Sequence, residues 1–124
     1  MKTIRVYRCF CDETRLRILN LLLEGPLCVC HLAGILAMDQ PKISRHLKAL
    51  REAGAVETER CYNWTICHLK RERNAVLEAN LQCLQDLRAE EPVFAKDLTR
   101  RTRTIDKITR TECEDLPARI RELC

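Results

Sequence analysis

The feature that most constrains this fold is a change of hydrophobic period in the middle of the chain. Val29, Leu32, Ala33 and Leu36 recur at i, i+3, i+4 and i+7, which marks a short amphipathic helix. A tight turn at Met38-Asp39 follows, then a second helical stripe through Ile43, Leu47 and Leu50. Asp39 or Gln40 can cap this second helix, Pro41 is tolerated in its first turn, and Gly54 is a natural stop. From Ala55 the period falls to two. Val56, Thr58 and Arg60, then Trp64, Ile66 and His68, predict two strands around a Cys61-Tyr62-Asn63 turn. Two short helices joined by a tight turn and followed by a hairpin predict a mainly α, α+β architecture: a helix-turn-helix with a β-hairpin wing.

The flanks are helical. Ile4, Tyr7 and Phe10 keep a helical period. Asp12 opens a helix in which Leu16, Ile18, Leu19, Leu22 and Leu23 are apolar nearly all round, so it should be buried, and Gly25-Pro26 ends it. After Lys70, Leu77, Leu81 and Leu84, flanked by Val76, Cys83 and Leu87, form a broad stripe that Pro92 breaks. With 124 residues there is room for one ordinary domain. Residues 1–91 are read as that domain and 92–124 as a charged, partly helical extension, with Phe94, Leu98, Ile105 and Ile108 at loose helical spacing. No run of about 18 apolar residues and no secretory leader pattern is present, which predicts a cytoplasmic chain with no membrane partner.

On the second helix of a helix-turn-helix, the N-terminal residues are the ones that reach base edges. Here Pro41, Arg45 and Lys48 lie opposite the apolar stripe with Ser44 on its flank, and Gln40, Lys42 and His46 complete the candidate reading surface. Gln and Arg can make bidentate bonds to bases, while Ser and Lys suit bases or phosphates. Arg60, near the wing tip, is placed for a phosphate or the minor groove. A solvated helix face would carry similar residues, and the net charge of +4 is compatible with double-stranded DNA without demanding it. No cofactor is required for such binding.

Nine cysteines are too many for a bland surface, and an odd number without a leader argues against a disulfide scaffold. In a reducing compartment they are free thiols, and soft thiolates select soft ions. About half read as small buried hydrophobes. An arsenate reductase or thiol oxidoreductase would want a nucleophilic cysteine in an anion-binding loop or a CxxC at a helix start. Neither pattern occurs and no βαβ framework is present, so an enzyme is not expected.

The segments "DETRLRILNLLLEG", "LCVCHLAGIL" and "QPKISRHLKALREAGAV" together resemble the ArsR/SmtB metalloregulatory repressors, in particular the arsenic-responsive branch, over roughly residues 3–90. The resemblance implies a winged-helix homodimer bound to an imperfect inverted repeat, with the first and fifth helices as the dimer seam. Ile4, Tyr7, Leu77, Leu81, Leu84 and Leu87 are then seam candidates, and Cys83 reads as a buried structural residue there. Without the family, the leucine stripe could equally pack inside one subunit. The resemblance also implies that Cys28-Val29-Cys30 is the sensing motif, with arsenite, antimonite or methylarsenite as inducer and release from the operator as outcome. A cadmium/lead sensor of the same fold and a thiol redox switch are the alternatives.

One departure matters: the arsenic branch usually has a third cysteine where this chain has Ala33. Candidates for a third ligand are Cys9, Cys11, Cys113 and Cys124, and His31 beside the motif is a minor one. Two thiols alone would suit a methylated arsenical. His46 and His68 read as DNA or wing residues rather than metal ligands. In a regular helix, Cys28 and Cys30 would stand about 200° apart around the axis. Their convergence on one ion would then require the first turn to fray or unwind.

Overall fold

The computed structural model describes residues 1–61 and 63–111. Helix α1 spans Lys2–Cys9, α2 Glu13–Leu23, α3 Val29–Leu36, α4 Gln40–Glu52, α5 Ala75–Asp86 and α6 Pro92–Thr111. Strands β1 (Leu27–Cys28), β2 (Val56–Cys61) and β3 (Trp64–Leu69) form one antiparallel sheet in the order β1-β3-β2.

Side chains cap the N-termini of three of these helices, α2, α4 and α5. The Asp12 carboxylate accepts from the Arg15 backbone N–H at 3.0 Å and Asp39 from Lys42 at 2.8 Å, while the Asn74 side-chain oxygen accepts from Leu77 at 2.8 Å. Each satisfies a backbone donor that the first turn leaves open. Helix α4 ends in a Schellman motif: Gly54, at φ +75°, donates to Arg51 and Ala55 donates to Leu50. Between α3 and α4 the chain turns through Ala37 in the left-handed region, φ 54° and ψ 46°.

The core sits around α2, whose Ile18, Leu19, Leu21 and Leu22 are buried. Leu32, Ile35 and Leu36 of α3 and Ile43, Leu47 and Leu50 of α4 join it, so the two helices of the turn are held by one apolar cluster. Val56, Cys67 and Leu69 anchor the wing to the same cluster.

Two elements pack in ways their spacing alone did not show. Leu77, Leu81 and Leu84 are only 2%, 1% and 3% exposed, because the subunit's own helices cover them. Within one subunit they offer no free surface to a seam; the amphipathic period showed which face is buried but not what buries it. Helix α6, the helical part of the extension read from residue 92, packs into the body. Phe94 joins the main core and Asp97 is fully buried, bound by Arg17 Nε at 2.8 Å and Nη2 at 3.0 Å. Ile108, with Ile105 beside it, forms a second small cluster with Ile66, Trp64 and Cys61 of the wing. Arg88 ties the same region together, donating to the buried Asn20 side chain, the Asn20 carbonyl and Glu24.

Candidate thiolate centre and nucleic-acid interface

Leu27 and Cys28 are not helical. They pair with Cys67 and Ile66 of the wing, so Cys28 is extended, φ −70° and ψ 148°, and stands at the N-cap of α3. The helix begins one residue later, which removes the premise of the 200° separation. The two sulfurs lie 3.0 Å apart. No unwinding is needed to bring them together, because the third strand of the sheet has already straightened the segment.

His31 closes the group: one ligand atom from each of Cys28, Cys30 and His31 lies within 4.8 Å of the others. Its ring stacks on Trp64, centroids 5.5 Å apart and planes 22° from parallel. Cys28 is buried while Cys30 and His31 are half-buried. The pair opens on a cavity of about 480 Å³ whose other walls are Gln40 and Ser44 of α4 and Asn63, Trp64 and Thr65 of the wing. The wing residues and the Trp64 contact were missed in the sequence, although this chain's single tryptophan beside a hairpin turn was a signal.

The remaining cysteines fall elsewhere. Cys9, a third-ligand candidate, is buried between α1 and α4 and donates to the Ala49 carbonyl at 3.7 Å; burial pushes its thiol up, partly offset by Arg15. Cys11 is exposed at the start of α2, whose 11 residues separate it from Cys28 by about 16 Å of helix. Neither belongs to the donor group. Cys113 and Cys124 lie outside the described residues. Cys83, placed at the seam by the resemblance, is exposed on the single subunit and shares a cavity of about 550 Å³ with Cys11, Phe10 and Leu87. Cys67 pairs with Leu27 and so points to the opposite face of β3 from Ile66. Burial, reinforced by Cys28 and opposed by Arg51, pushes the Cys67 thiol up to about 12, so it is a packing residue rather than a ligand.

On α4, Gln40, Pro41, Lys42, Ser44, Arg45 and Lys48 are exposed, as is Arg60 on β2 opposite Thr65. His46 departs from this surface: it turns back toward Asp12, its Nδ1 3.9 Å from the carboxylate, and burial lowers its pKa against the pull of Asp12. His68 is buried in the wing, its Nδ1 2.9 Å from the Leu69 carbonyl and its Nε2 3.5 Å from Glu59. Ile4 and Tyr7 on α1 are 47% and 53% exposed, and Leu87, in the turn just after α5, is 40% exposed.

A buried helix-turn-helix, an exposed polar helix face and a β-hairpin wing define a winged-helix DNA-binding regulator rather than an enzyme. Comparison with known proteins carries this further. Residues 12–58 match the family described as "Bacterial regulatory protein, arsR family". Over 86 residues the chain is 42% identical to the arsenic resistance transcriptional regulator ArsR1 of Pseudomonas putida, covering 68% of this chain and 67% of that protein. It is 48% identical over 62 residues to the arsenical resistance operon repressor of Escherichia coli, spanning 49% of this chain and about half (53%) of that repressor. A homodimeric winged helix-turn-helix DNA-binding domain from Mycobacterium bovis superposes with a TM-score of 0.61 at 24% identity, covering 73% of this chain and 81% of the other. The chain belongs to the arsR family of bacterial regulatory proteins. Among the described residues, no helix is long and apolar enough to cross a membrane.

Proposed function

We propose that this chain represses transcription from an operator and is released when Cys28 and Cys30 capture trivalent arsenic or antimony, as arsenite, antimonite or a methylated arsenical. One observation carries the reading: the cavity holding both thiols is walled by Gln40 and Ser44, at the end of α4 that would enter the major groove, and by the wing. The donor chemistry fits a thiophilic centre, since two sulfurs stand together at 3.0 Å without rearrangement. A bound thiophilic ligand would supply two strong bonds to sulfur.

The chain's own residues do the rest. Gln40, Ser44 and Arg45 face the bases; Lys42, Lys48 and Arg60 face phosphates or the groove edge. Occupying the cavity pushes on the first turn of α4 and on the wing together. A hundredfold loss of operator affinity needs only about 2.7 kcal/mol of coupling. The exposed Ile4, Tyr7 and Leu87 support a homodimer that would read two half-sites.

The test is operator binding by fluorescence anisotropy, with reductant present, against arsenite, methylarsenite and antimonite. The parent chain should leave the operator, and Cys28→Ser/Cys30→Ser should stay bound. Normal release from the double variant removes these thiols from the mechanism. Release only after reductant is withdrawn favours an oxidation switch instead.

A further inference from the structure

We propose that the cleft between α1 and α4 binds a phosphate of the operator backbone through Arg5, Arg8 and Arg15. This rests on the reading of α4 as the helix that enters the major groove, and adds α1 to the DNA contact. The cleft encloses about 510 Å³, with Cys9 and Ala49 also in its walls. Glu52 is the one carboxylate among its described lining residues.

The fold leaves the cations of this cleft without an anion. Arg5 and Arg8 stand one helical turn apart on α1 and so share a side of it. Both are exposed, and neither side chain has a bonded or ionic partner among the described residues. Arg15 of α2 donates from Nη1 to the Arg8 carbonyl at 3.4 Å, but its Nε is buried with nothing to bond. Three guanidinium groups around one cleft repel each other, and a buried donor left open is costly. An oxyanion relieves both, and the planar fork of arginine matches its oxygens two at a time.

Position selects the source of that oxyanion. Lys42, Arg45, Ala49 and Glu52 recur at helical spacing along one side of α4. The side that starts with base-reading candidates therefore runs into the cleft at its end. Ala49 lies one turn beyond Arg45, about 6 Å along the axis, and the major groove is about 8.5 Å deep. With Arg45 at base edges, the cleft stands near the rim of the groove, level with backbone phosphates. A contact there carries no sequence information and fixes how α4 is seated.

The experiment measures the affinity of the full chain for operator and for random duplex between about 50 and about 200 mM salt. Each neutralised phosphate contributes about −0.9 to the slope of log affinity against log salt. Arg5→Gln/Arg8→Gln should flatten that slope by about one per subunit and weaken both duplexes alike, by about tenfold or more at the lower salt. Glutamine keeps the helix, so the urea midpoint should not fall. Arg5→Lys/Arg8→Lys should recover most of the slope, and Glu52→Gln should tighten both duplexes. Slope and affinities equal to the parent's overturn the proposal, as does a loss confined to the operator. Inorganic phosphate, titrated at constant ionic strength, separates the two sources of oxyanion. If it raises the parent's thermal midpoint through Arg5 and Arg8 while their replacement leaves the salt slope unchanged, the cleft takes free phosphate and the operator assignment fails. A parent that binds no duplex overturns this proposal and the repressor reading together. If the slope flattens as expected but arsenicals never release the operator, the proposed induction fails and this cleft stands.

Discussion

Asp97 offers the sharpest test of how α6 is held. Its carboxylate is completely buried and receives two bonds from Arg17, whose side chain is 15% exposed. Replacing Asp97 by Ala removes both charge-assisted bonds and strands the guanidinium in an apolar seam. Breaking a buried pair from one side costs about 3–5 kcal/mol; the residual exposure of Arg17 lets water recover some of this, so about 3 kcal/mol is expected. The paired replacement Arg17→Met/Asp97→Leu strands no charge and should fall within about 1.5 kcal/mol of the parent. Arg17→Lys keeps the charge but not the fork, and should lie between. In urea, with m about 1.5 kcal/mol/M for a domain of this size, Asp97→Ala should lower the midpoint by about 2 M at unchanged m. A midpoint within about 0.5 M of the parent would refute the reasoning, because the pair would then be solvated. So would a double variant as unstable as the two single changes added together.

Arg45→Ala should weaken specific operator binding by ~1–3 kcal/mol if the guanidinium reads a base, with smaller effect on random DNA; equal affinities for parent and variant remove it from the reading set. Tyr7→Glu/Leu87→Glu should give a folded monomer by sedimentation velocity, whereas Leu77→Glu should unfold the chain, because only the first pair lies on the surface. Burial of Cys67 as a neutral thiol favours the folded state. Its pKa rises from 9.0 to about 12, so that contribution is whole below pH 9 and fades as pH climbs toward 12, up to about 4 kcal/mol. The urea midpoint of Cys67→Ala should therefore converge on the parent's between pH 8 and 11, and a constant gap would contradict the burial argument. Alkylation followed by mass spectrometry should modify Cys11 and Cys83 first and Cys9 and Cys67 last.

The helix-turn-helix and the wing were legible because local periodicity and turn chemistry agree there: the helical stripe through Ile43, Leu47 and Leu50, the Asp39 cap and the alternation after Ala55 each point the same way. The start of α3 was not legible. Two residues of strand at Leu27–Cys28 carry no period, and what holds them extended is pairing with Cys67 and Ile66, distant in sequence. Reading Cys28 and Cys30 on one helix therefore separated two sulfurs that pairing with the wing brings together. The leucines of α5 show the second kind of gap. Their spacing marks a buried face, yet the coverage comes from other elements of the same subunit, which no window of local sequence contains. Helix α6 combines both: Phe94, Leu98, Ile105 and Ile108 were visible as a loose stripe, but the internal charge Asp97 and its Arg17 partner sit 80 residues apart.

Cys28 is at once the last residue of β1 and the cap of α3. A load applied to that one sulfur is consequently divided between two recognition arms, the hairpin through its ladder and the reading helix through α3. Under the proposed function no long relay is needed: the thiol and the two DNA-facing arms share a single joint, and altering the backbone there would be expected to mistune ligand response and DNA grip in the same stroke.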